Sequence, residues 1–539
     1  MVNIRIPQKF GPWLSATAVA LIFFVAQVLT LDYGTLINDR PHIANYKTNL
    51  DIIRDSGLNR PTVVGEAKTA DRETIDRWMA RFKLYSVEAD EMVSIMALAR
   101  IKPKEGMFDP GFYQYGGAWL YPLGAWYYSL AKIGILPIAN LETMISEPNR
   151  MDAVYFWGRA YNLVLVSISS LVLFAALRIV STPAIALFGM AIFLSLPATV
   201  MFSQVMKPHW PALLWIHSIF LLLAQSYRNR YLGDLDGIFL GVFLGLAVGS
   251  SIPNAIFAVF TWLALLIAAI RGFTPFRILV FVPTAAILVM MAANPFLFLN
   301  WQAARMEGAT TSAWYVFEPS IGALGAFLWN SIGFGFGFPL LVAGIFGVFF
   351  ALIMGGTNRN ISLAILFSSL LVSALTAAQS HWHTNYRYAV YLAPAILLVL
   401  SMAQFRLKIV IFSGILFITL IQTTPLKLAY FDENDEKYST RLLASKWVDE
   451  NIPEGDSLCI GSNTPAPFEV PPFQFSRLKV NSPGCNWRIS VDREFPSQAT
   501  SATWEVAAKF KPRLFNKHFP VVFGHINPQI TIYHRASID

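Results

Sequence analysis

Charged residues are scarce in this sequence. Of its 539 residues, 14% are charged and 55% are hydrophobic, and the mean hydropathy is +0.49. A soluble domain carries about 25% charged residues, so this composition excludes an ordinary soluble enzyme. Apolar runs of about 17–23 residues recur along the chain, which is the length that crosses a bilayer as a helix. The sequence therefore predicts an all-α polytopic membrane protein.

Several signatures of cofactor chemistry are also missing. The chain has no Walker-type phosphate loop, no glycine-rich dinucleotide motif and no zinc pattern. These absences argue against direct use of a cytoplasmic nucleotide sugar and favour a substrate that reaches the outer leaflet on a lipid. The net charge of +8 lies largely in short loops between apolar runs, so it does not indicate a nucleic-acid partner. Internal repeats are absent and the spans hold few charges, which argues against a symmetric transporter.

We predict about eleven transmembrane helices. The short basic loops between them fall on the side of the N-terminus when the apolar stretch 118–136 is not counted as a span. That stretch is then expected to lie along, or dip into, the outer leaflet. The N-terminus is predicted to be cytoplasmic, in a plasma (inner) membrane, with the loop 32–154 and the C-terminal tail outside. The predicted spans are 13–31, 155–177, 183–203, 210–226, 236–252, 254–270, 276–298, 335–354, 361–378, 387–403 and 407–424.

The predicted domains are a transmembrane domain, 1–424, and a small extracytoplasmic α/β domain, 425–539. In the tail, 434–450 reads as an amphipathic helix that ends at the Pro and Gly of 452–455. Ser457 to Ile460 and Ile530 to Tyr533 read as short strands. Both cysteines of the chain, Cys459 and Cys485, lie in this tail. In an oxidising compartment they would form either a disulfide or two separate buried thiols.

The first outer loop contains the segment that we expect to carry the chemistry, 85–126. It begins with an acidic pair, Asp90 and Glu91, followed by an amphipathic helical pattern that includes Met92 and Leu98. Such a helix would lie at the membrane interface and hold a carboxylate where a lipid-linked headgroup is presented. That carboxylate would act as a general base or bind a metal. The alternative is an ordinary acidic pair in the first turn of a helix, favoured by the helix dipole.

Basic groups on the predicted outer face suggest a phosphate site. They are Lys207 and His209 in the loop MKPHW, Arg159 in the second span and Arg387 at the start of the tenth. Arg offers bidentate contacts to phosphate and Lys a point charge. The alternatives are interfacial anchoring for Lys207 and Arg387 and a snorkelling side chain for Arg159. A metal site is a further alternative for the histidines, which are His42, His209, His381 and His383.

The stretch FDPGFYQYGGAWLYP combines a carboxylate with aromatic rings. Asp109, Tyr113 and Tyr115 would form a platform on which a sugar stacks. The alternative is plain interfacial anchoring of the tyrosines. Glu307 or Glu318, in the loop 299–334, would supply a second carboxylate, and nothing in the sequence selects between them.

Several stretches together resemble the GT-C superfamily of integral-membrane glycosyltransferases, which includes protein O-mannosyltransferases, the lipid A aminoarabinose transferase and oligosaccharyltransferase catalytic subunits. EADEMVSIMALAR resembles the family's Asp-Glu motif and implies Asp90 as the base, with Glu91 as its neighbour. WGRAYNLVLVSISSL is similar to the Arg-led second span, and RYAVYLAPAILL to a late Arg-Tyr span. DPGFYQYGGAWLYPLGAWYYSLAK and ASKWVDENIPEGD are similar to further family segments. LDYGTLINDRP contains a second candidate base, Asp39, because some members place theirs near the first span.

The resemblance implies transfer of a sugar, hexosyl or pentosyl, from a polyprenyl-phosphate carrier to an acceptor on the extracytoplasmic face. A mannosyltransferase-like enzyme of the cell envelope would fit. The acceptor, whether protein, lipid or polysaccharide, is left open. No cofactor is required, and a divalent metal is compatible with the scheme. The alternatives are a non-enzymatic lipid or polysaccharide transporter, a membrane scaffold, and a transferase that moves a group other than a sugar.

Overall fold

The structure is a computed structural model of the 539-residue chain. It describes residues 11–35, 43, 45–51, 72–312, 320–353, 369, 391–403, 406–460, 467–481, 484–491, 504–513 and 526–535.

Helices dominate the described chain. A π-helical segment, Phe327–Gly337, separates two of them. In chain order the helices are α1 (Gly11–Val28), α2 (Arg72–Leu84), α3 (Ala89–Arg100), α4 (Gly117–Lys132), α5 (Leu141–Ser146), α6 (Pro148–Val180), α7 (Pro183–Ser195), α8 (Pro197–Phe202), α9 (Leu213–Asn229), α10 (Asp234–Ser250), α11 (Ala255–Ile270), α12 (Ile278–Ala293), α13 (Pro295–Leu299), α14 (Trp301–Ser312), α15 (Ile321–Ala326), α16 (Phe338–Ile353), α17 (Leu392–Met402), α18 (Lys408–Glu433) and α19 (Thr440–Asn451).

Four helical stretches within the described residues are long and apolar enough to cross a membrane. They are Gly11–Val28, Pro148–Val180, Ile252–Ile270 and Lys408–Glu433. Further apolar helices are shorter, such as Ile278–Ala293. These helices agree with the predicted helical membrane architecture. The predicted span 361–378 lies almost wholly outside the described residues, so the count of about eleven spans, like the orientation, stays a prediction.

The chain divides into two compact units. The first comprises Met1–Leu29, Ser94–Trp126 and Arg159–Thr424. The second comprises Thr30–Val93, Tyr127–Gly158 and Pro425–Asp539. The two-domain division, 1–424 and 425–539, stays a prediction, and the second unit contains Thr30–Val93 and Tyr127–Gly158 as well as the tail.

In the first unit, α10 and α12 pack with their backbones unusually close. Glycines recur every fourth residue along one face of α10. A Cβ atom on Gly241 would lie 2.5 Å from the carbonyl oxygen of Val282, and one on Gly245 would lie 2.6 Å from that of Ala286. Small residues at this spacing let helices approach until their backbones touch. The four glycines of this stripe are Gly237, Gly241, Gly245 and Gly249.

The second unit contains a five-stranded mixed sheet of order β2-β1-β3-β5-β4. Pairs β1–β2 and β1–β3 are parallel, whereas β3–β5 and β4–β5 are antiparallel. The strands are β1 (Ser457–Cys459), β2 (Lys479–Val480), β3 (Trp487–Val491), β4 (Trp504–Phe510) and β5 (Ile530–Arg535).

Aromatic rings fill the core beneath this sheet. Phe475 is fully buried, with its ring centroid 5.2 Å from that of Phe82 and 5.9 Å from that of Trp78. Both partners come from α2, in the predicted first outer loop, whereas Val448 comes from α19. The core of the tail is therefore completed by a helix that is distant from it in the sequence.

Local signals in the tail predicted its helix and two strands, but not the residue at which the helix starts. The Ser439 side chain accepts a hydrogen bond from the Leu442 backbone N–H at 3.3 Å, so α19 starts several residues later than the predicted 434. It ends before Pro453, as predicted. The two predicted strands are β1 and β5. Cys459 and Cys485 form a disulfide, which decides between the two alternatives that the sequence left open.

Candidate active site

The acidic pair occupies the first turn of α3. Asp90 is half-buried, whereas Glu91 is fully buried and its Oε2 accepts a hydrogen bond from the Ser86 hydroxyl at 2.6 Å. Both carboxylates are in a position that the helix dipole favours. Burial and the bond to Ser86 suit Glu91 for holding the start of the helix, and Asp90 is the more accessible of the two.

The helix α3 is packed more tightly than a surface helix would be. Met92, which we expected on the lipid-facing side, is 5% exposed. The Tyr155 hydroxyl lies 3.6 Å from the Met92 sulfur and donates a hydrogen bond to the Leu84 carbonyl at 2.6 Å. Part of the predicted amphipathic face is therefore packed inside the protein, because the Tyr155 side chain of α6 contacts Met92; the location of the helix at the membrane interface stays a prediction.

Two predicted phosphate ligands are buried in the first unit. Arg159 is fully buried on α6, and Lys207 is 6% exposed. The Asn162 side chain, one turn after Arg159 on the same face of α6, donates to the Lys207 carbonyl at 2.8 Å. Asn162 also accepts a hydrogen bond from the Trp119 indole at 3.0 Å. A single amide thus fixes the loop of Lys207 and the first turn of α4 to the helix that carries Arg159.

His209 and Tyr115 lie beside this network. Their ring centroids are 6.1 Å apart, and the Tyr115 ring is 5.9 Å from that of Trp119. His209 is half-buried. The structure therefore brings Tyr115 into the same region of the first unit as the loop of Lys207 and His209, which is distant from it in the sequence.

The Asp109 carboxylate organises the loop before α4. It accepts hydrogen bonds from the Gly111 backbone at 2.9 Å, from the Tyr113 hydroxyl at 3.1 Å and from the Asn300 side chain. Gly111 has a positive φ of 55°, and a Cβ there would lie 2.6 Å from the Arg100 guanidinium. Asp109 thus holds a tight turn, and Asn300 ties that turn to the start of α14.

Glu307, one of the two candidates for a second carboxylate, contacts this loop. Its Oε2 accepts a hydrogen bond from the Tyr113 backbone N–H at 2.9 Å. Burial raises the pKa of Glu307, and hydrogen bonds from the Tyr113 and Gln114 backbones partly oppose that rise. Tyr113 therefore bridges two carboxylates, one through its hydroxyl and one through its backbone. Glu318, the other candidate, lies outside the described residues.

Two glycines anchor this loop to the helix ends. The Gly116 backbone donates to the Ser250 carbonyl at 3.0 Å, and the Gly117 backbone donates to the Asn294 side chain at 2.7 Å. A Cβ on Gly116 would lie 1.8 Å from the carbonyl oxygen of Gly249. No larger residue fits there without moving the loop, so the pair GlyGly sets the position of Tyr113 and Tyr115.

Several predicted site residues lie outside the described part of the chain. They are Asp39, Arg387, His42, His381 and His383. Within the described part, no group of three or more His, Cys, Asp or Glu side chains is arranged to hold a metal ion. The Asp109 oxygens already accept three hydrogen bonds, which commits them to the loop rather than to a cation.

No family model matches this chain, and no curated protein matches it either. Solved structures of an Archaeoglobus fulgidus oligosaccharyltransferase do superpose on it, with low scores. One, tethered to an acceptor peptide containing an NVT sequon, is 13% identical with a TM-score of 0.40, covering 88% of this chain and 64% of its own. Another, described as AglB with an inhibitory peptide and a dolichol-phosphate, is 13% identical with a TM-score of 0.41, covering 86% and 64%.

A third structure of the A. fulgidus enzyme, with Zn and sulfate, is 13% identical with a TM-score of 0.38, covering 88% of this chain and 68% of that chain. This chain therefore spans about two thirds of the length of these enzymes. A similarity this distant assigns neither a family nor an activity to the chain.

Proposed function

We propose that this protein is a membrane glycosyltransferase that moves a sugar from a polyprenyl-phosphate carrier to an acceptor on the extracytoplasmic face. The observation that carries the proposal is the joint burial of Arg159 and Lys207, whose segments are connected through Asn162. Buried cations among apolar helices are costly and commonly mark a functional site. The phosphate of a lipid carrier is an anion that reaches such a place from the bilayer, and the resemblance to the GT-C superfamily supports this reading.

In the proposed reaction, Asp90 accepts the proton of an acceptor hydroxyl or amine. The acceptor atom then forms a bond to the anomeric carbon, and the bond from that carbon to the carrier phosphate oxygen breaks. Negative charge grows on the departing phosphate, and Lys207, Arg159 and Arg387 stabilise it. His209 lies beside Lys207 and is assigned to the same phosphate group. Glu91 is a positioning residue here, and Asp39 is the second candidate base.

Asp109, Tyr113 and Tyr115 are proposed to bind the sugar. The Tyr113 and Tyr115 rings flank a turn that Asp109, Glu307 and the two glycines hold rigidly. A rigid aromatic surface with carboxylates at its edge suits a ring that is apolar on its faces and hydroxylated on its rim. The proposal assigns no step to a metal, because the described residues do not form a site for one. The identities of the sugar and the acceptor are not part of the proposal.

The test is complementation of a deletion strain with Asp90→Asn. We expect the variant to reach the membrane at the normal level but to lose one glycan, with its polyprenyl-linked precursor accumulating. Loss of a positioned catalytic base lowers the rate by about 10²–10⁴-fold. The readout is the profile of envelope glycans and lipid-linked sugars. The matched control is Glu105→Gln, an exposed carboxylate in the same outer loop that pairs only weakly with Lys102.

Two variants of Lys207 test the phosphate assignment. Lys207→Gln should reproduce the accumulation, and Lys207→Arg should partly restore the glycan, because Arg retains the charge. If Asp90→Asn and Lys207→Gln both support normal glycans, the transferase proposal is wrong for these residues. If only Asp90→Asn is normal, Asp39→Asn is the next variant, since it tests the second candidate base.

A further inference from the structure

At one edge of the sheet of the second unit, one row of residues carries polar and aromatic side chains, whereas the core of the sheet is apolar. Directly paired residues of neighbouring strands share one face of a sheet. Ile489 on β3 pairs with Ile532 on β5, and both are buried beneath α19. The next row on the same face is Trp487, His534 and Glu505, in which His534 pairs with both of its neighbours. At the edge of the apolar core, this row therefore presents an indole, an imidazole and a carboxylate in place of aliphatic side chains.

A second tryptophan extends this row. Trp447 on α19 meets Trp487 edge to face, with ring centroids 5.9 Å apart and planes at 66°. The His534 ring lies 4.4 Å from that of Trp487. Both tryptophans are half-buried, and His534 and Glu505 are exposed. The rings therefore form the rim of the core and present part of their surface outward.

A carboxylate holds the central ring in place. Asp456, just before β1, accepts the Trp487 indole N–H at 2.8 Å and the Asn486 side chain at 2.6 Å. Burial raises the pKa of Asp456, but the hydrogen bonds from Ser457, Trp487 and Asn486 outweigh it and lower the pKa. Asp456 is therefore ionised at neutral pH. The ring orientation is fixed in advance of any ligand, which lowers the entropy cost of binding.

We propose that this rim, formed by Trp447, Trp487, His534, Glu505 and Asp456, is a saccharide-binding site separate from the proposed active site. A sugar ring offers C–H groups on its faces, which stack on indole, and hydroxyls on its edge, which donate to carboxylates. Two carboxylates disfavour a phosphate or nucleic-acid ligand. A metal is not indicated either, since no described group of His, Asp and Glu side chains has a ligating arrangement.

The site would hold a glycan chain on the tail of the protein, so it goes beyond the proposed function and does not rest on it. Binding is measured on the purified full-length protein in lipid nanodiscs, because maltoside and glucoside detergents carry competing sugars. The probes are mannotriose, N,N′,N″-triacetylchitotriose and maltotriose, each titrated by saturation-transfer NMR. We expect at least one to bind with a Kd of about 1 mM or tighter.

The variants separate ligand contacts from folding. His534→Ala and Glu505→Gln change exposed side chains and should weaken binding about tenfold, and Trp447→Ala should abolish it. Val506→Ala is the matched control. Val506 is 58% exposed on the same strand but pairs with Tyr533, on the opposite face, so it should bind like the wild type.

Two results would overturn the proposal. One is the absence of saturable binding for all three trisaccharides. The other is unchanged affinity in both His534→Ala and Glu505→Gln, which would show that the rim only closes the core. Asp90→Asn should bind the same sugars as the wild type, because the rim does not include Asp90. Loss of sugar binding would therefore refute the rim site alone, and a normal glycan profile in Asp90→Asn would count only against the transferase proposal.

Discussion

The α10–α12 helix pair and the sheet core of the second unit are packed by opposite means. Between the helices, glycines leave room for the backbone, and the carbonyl oxygen of Ala286 lies where a Cβ on Gly245 would be. Beneath the sheet, large rings fill the space, with Phe475 touching Trp78, Phe82 and Phe473. The helix pair therefore depends on the lack of side chains at its glycines, whereas the sheet core depends on its large aromatic rings.

We infer that the difference follows from the solvent around each region: lipid for α10 and α12, which lie in predicted spans, and water for the tail. Lipid chains are as apolar as leucine, so helices in a bilayer gain little from burying side chains and gain more from close backbone contact. A domain in water gains roughly 25 cal/mol for each Å² of apolar surface that it buries, so large rings are favoured. We therefore expect added atoms to destabilise the first region and removed atoms to destabilise the second.

The largest effect should come from Phe475→Ala. Removing a fully buried ring leaves a cavity and costs about 3–5 kcal/mol of unfolding free energy. Thermal unfolding of the purified protein, followed by circular dichroism, measures the change. Val506→Ala, at an exposed position of the same sheet, should change the stability by less than about 0.5 kcal/mol. Equal effects of the two variants would contradict the assigned core.

Loss of the disulfide should come next. Cys459 and Cys485 are separated by 26 residues, and opening a loop of that size costs about 3 kcal/mol. Cys459→Ser, Cys485→Ser and the double variant should all unfold at the same lowered temperature, because each removes the same bond. If the double variant is clearly less stable than either single variant, each cysteine contributes separately through its packing.

A smaller stability change, and the sharpest test of the comparison, is expected for Gly245→Ala. One added methyl group must displace a helix backbone, which costs about 1–3 kcal/mol. Gly308→Ala is the matched control, because Gly308 lies in α14 with nothing within 4 Å of the added atom. There Ala should stabilise the helix by about 0.5–1 kcal/mol. Size-exclusion profiles after heating compare the two, and stabilisation by Gly245→Ala would refute the close contact.

Removing atoms from α10 completes the comparison. Phe239 is 46% exposed, on the helix that carries the glycine stripe. Phe239→Ala leaves no cavity inside the protein, so it should change the unfolding temperature less than Gly245→Ala does. The reverse order would mean that this helix, like the sheet core, is held by its large side chains.

Short-range patterns predicted much of the architecture. Apolar runs predicted the spans that overlap α1, α6 and α18. An amphipathic pattern ended by Pro and Gly predicted α19, although its start at the Ser439 cap was missed. The glycine stripe was visible in the sequence as a spacing of four, and it predicts a close helix contact on that face of α10. Its partner helix would still have remained unknown, because many apolar helices present small residues.

The candidate site was predictable only in part. The predicted sugar platform could be proposed from the sequence, because its three residues, Asp109, Tyr113 and Tyr115, lie within one short segment. The hydrogen bond from the Tyr113 backbone to Glu307 could not be read from the sequence, and Glu318 lies outside the described residues. Asn162, which links the loop of Lys207 to the helix of Arg159, carries no sequence signal at all, since a lone Asn in an apolar run has many explanations.

By itself, the sequence determined the class of the protein: helices of membrane-spanning length, a basic-loop asymmetry, and a polar tail with its own helix and strands. These depend on composition and on periods of a few residues, which act locally. Only the tertiary structure decided that α2 completes the core of the tail, that the two cysteines are bonded, and that Trp487, His534 and Glu505 form one row. Those facts depend on strand order and helix docking, which are set by contacts between residues far apart in the chain.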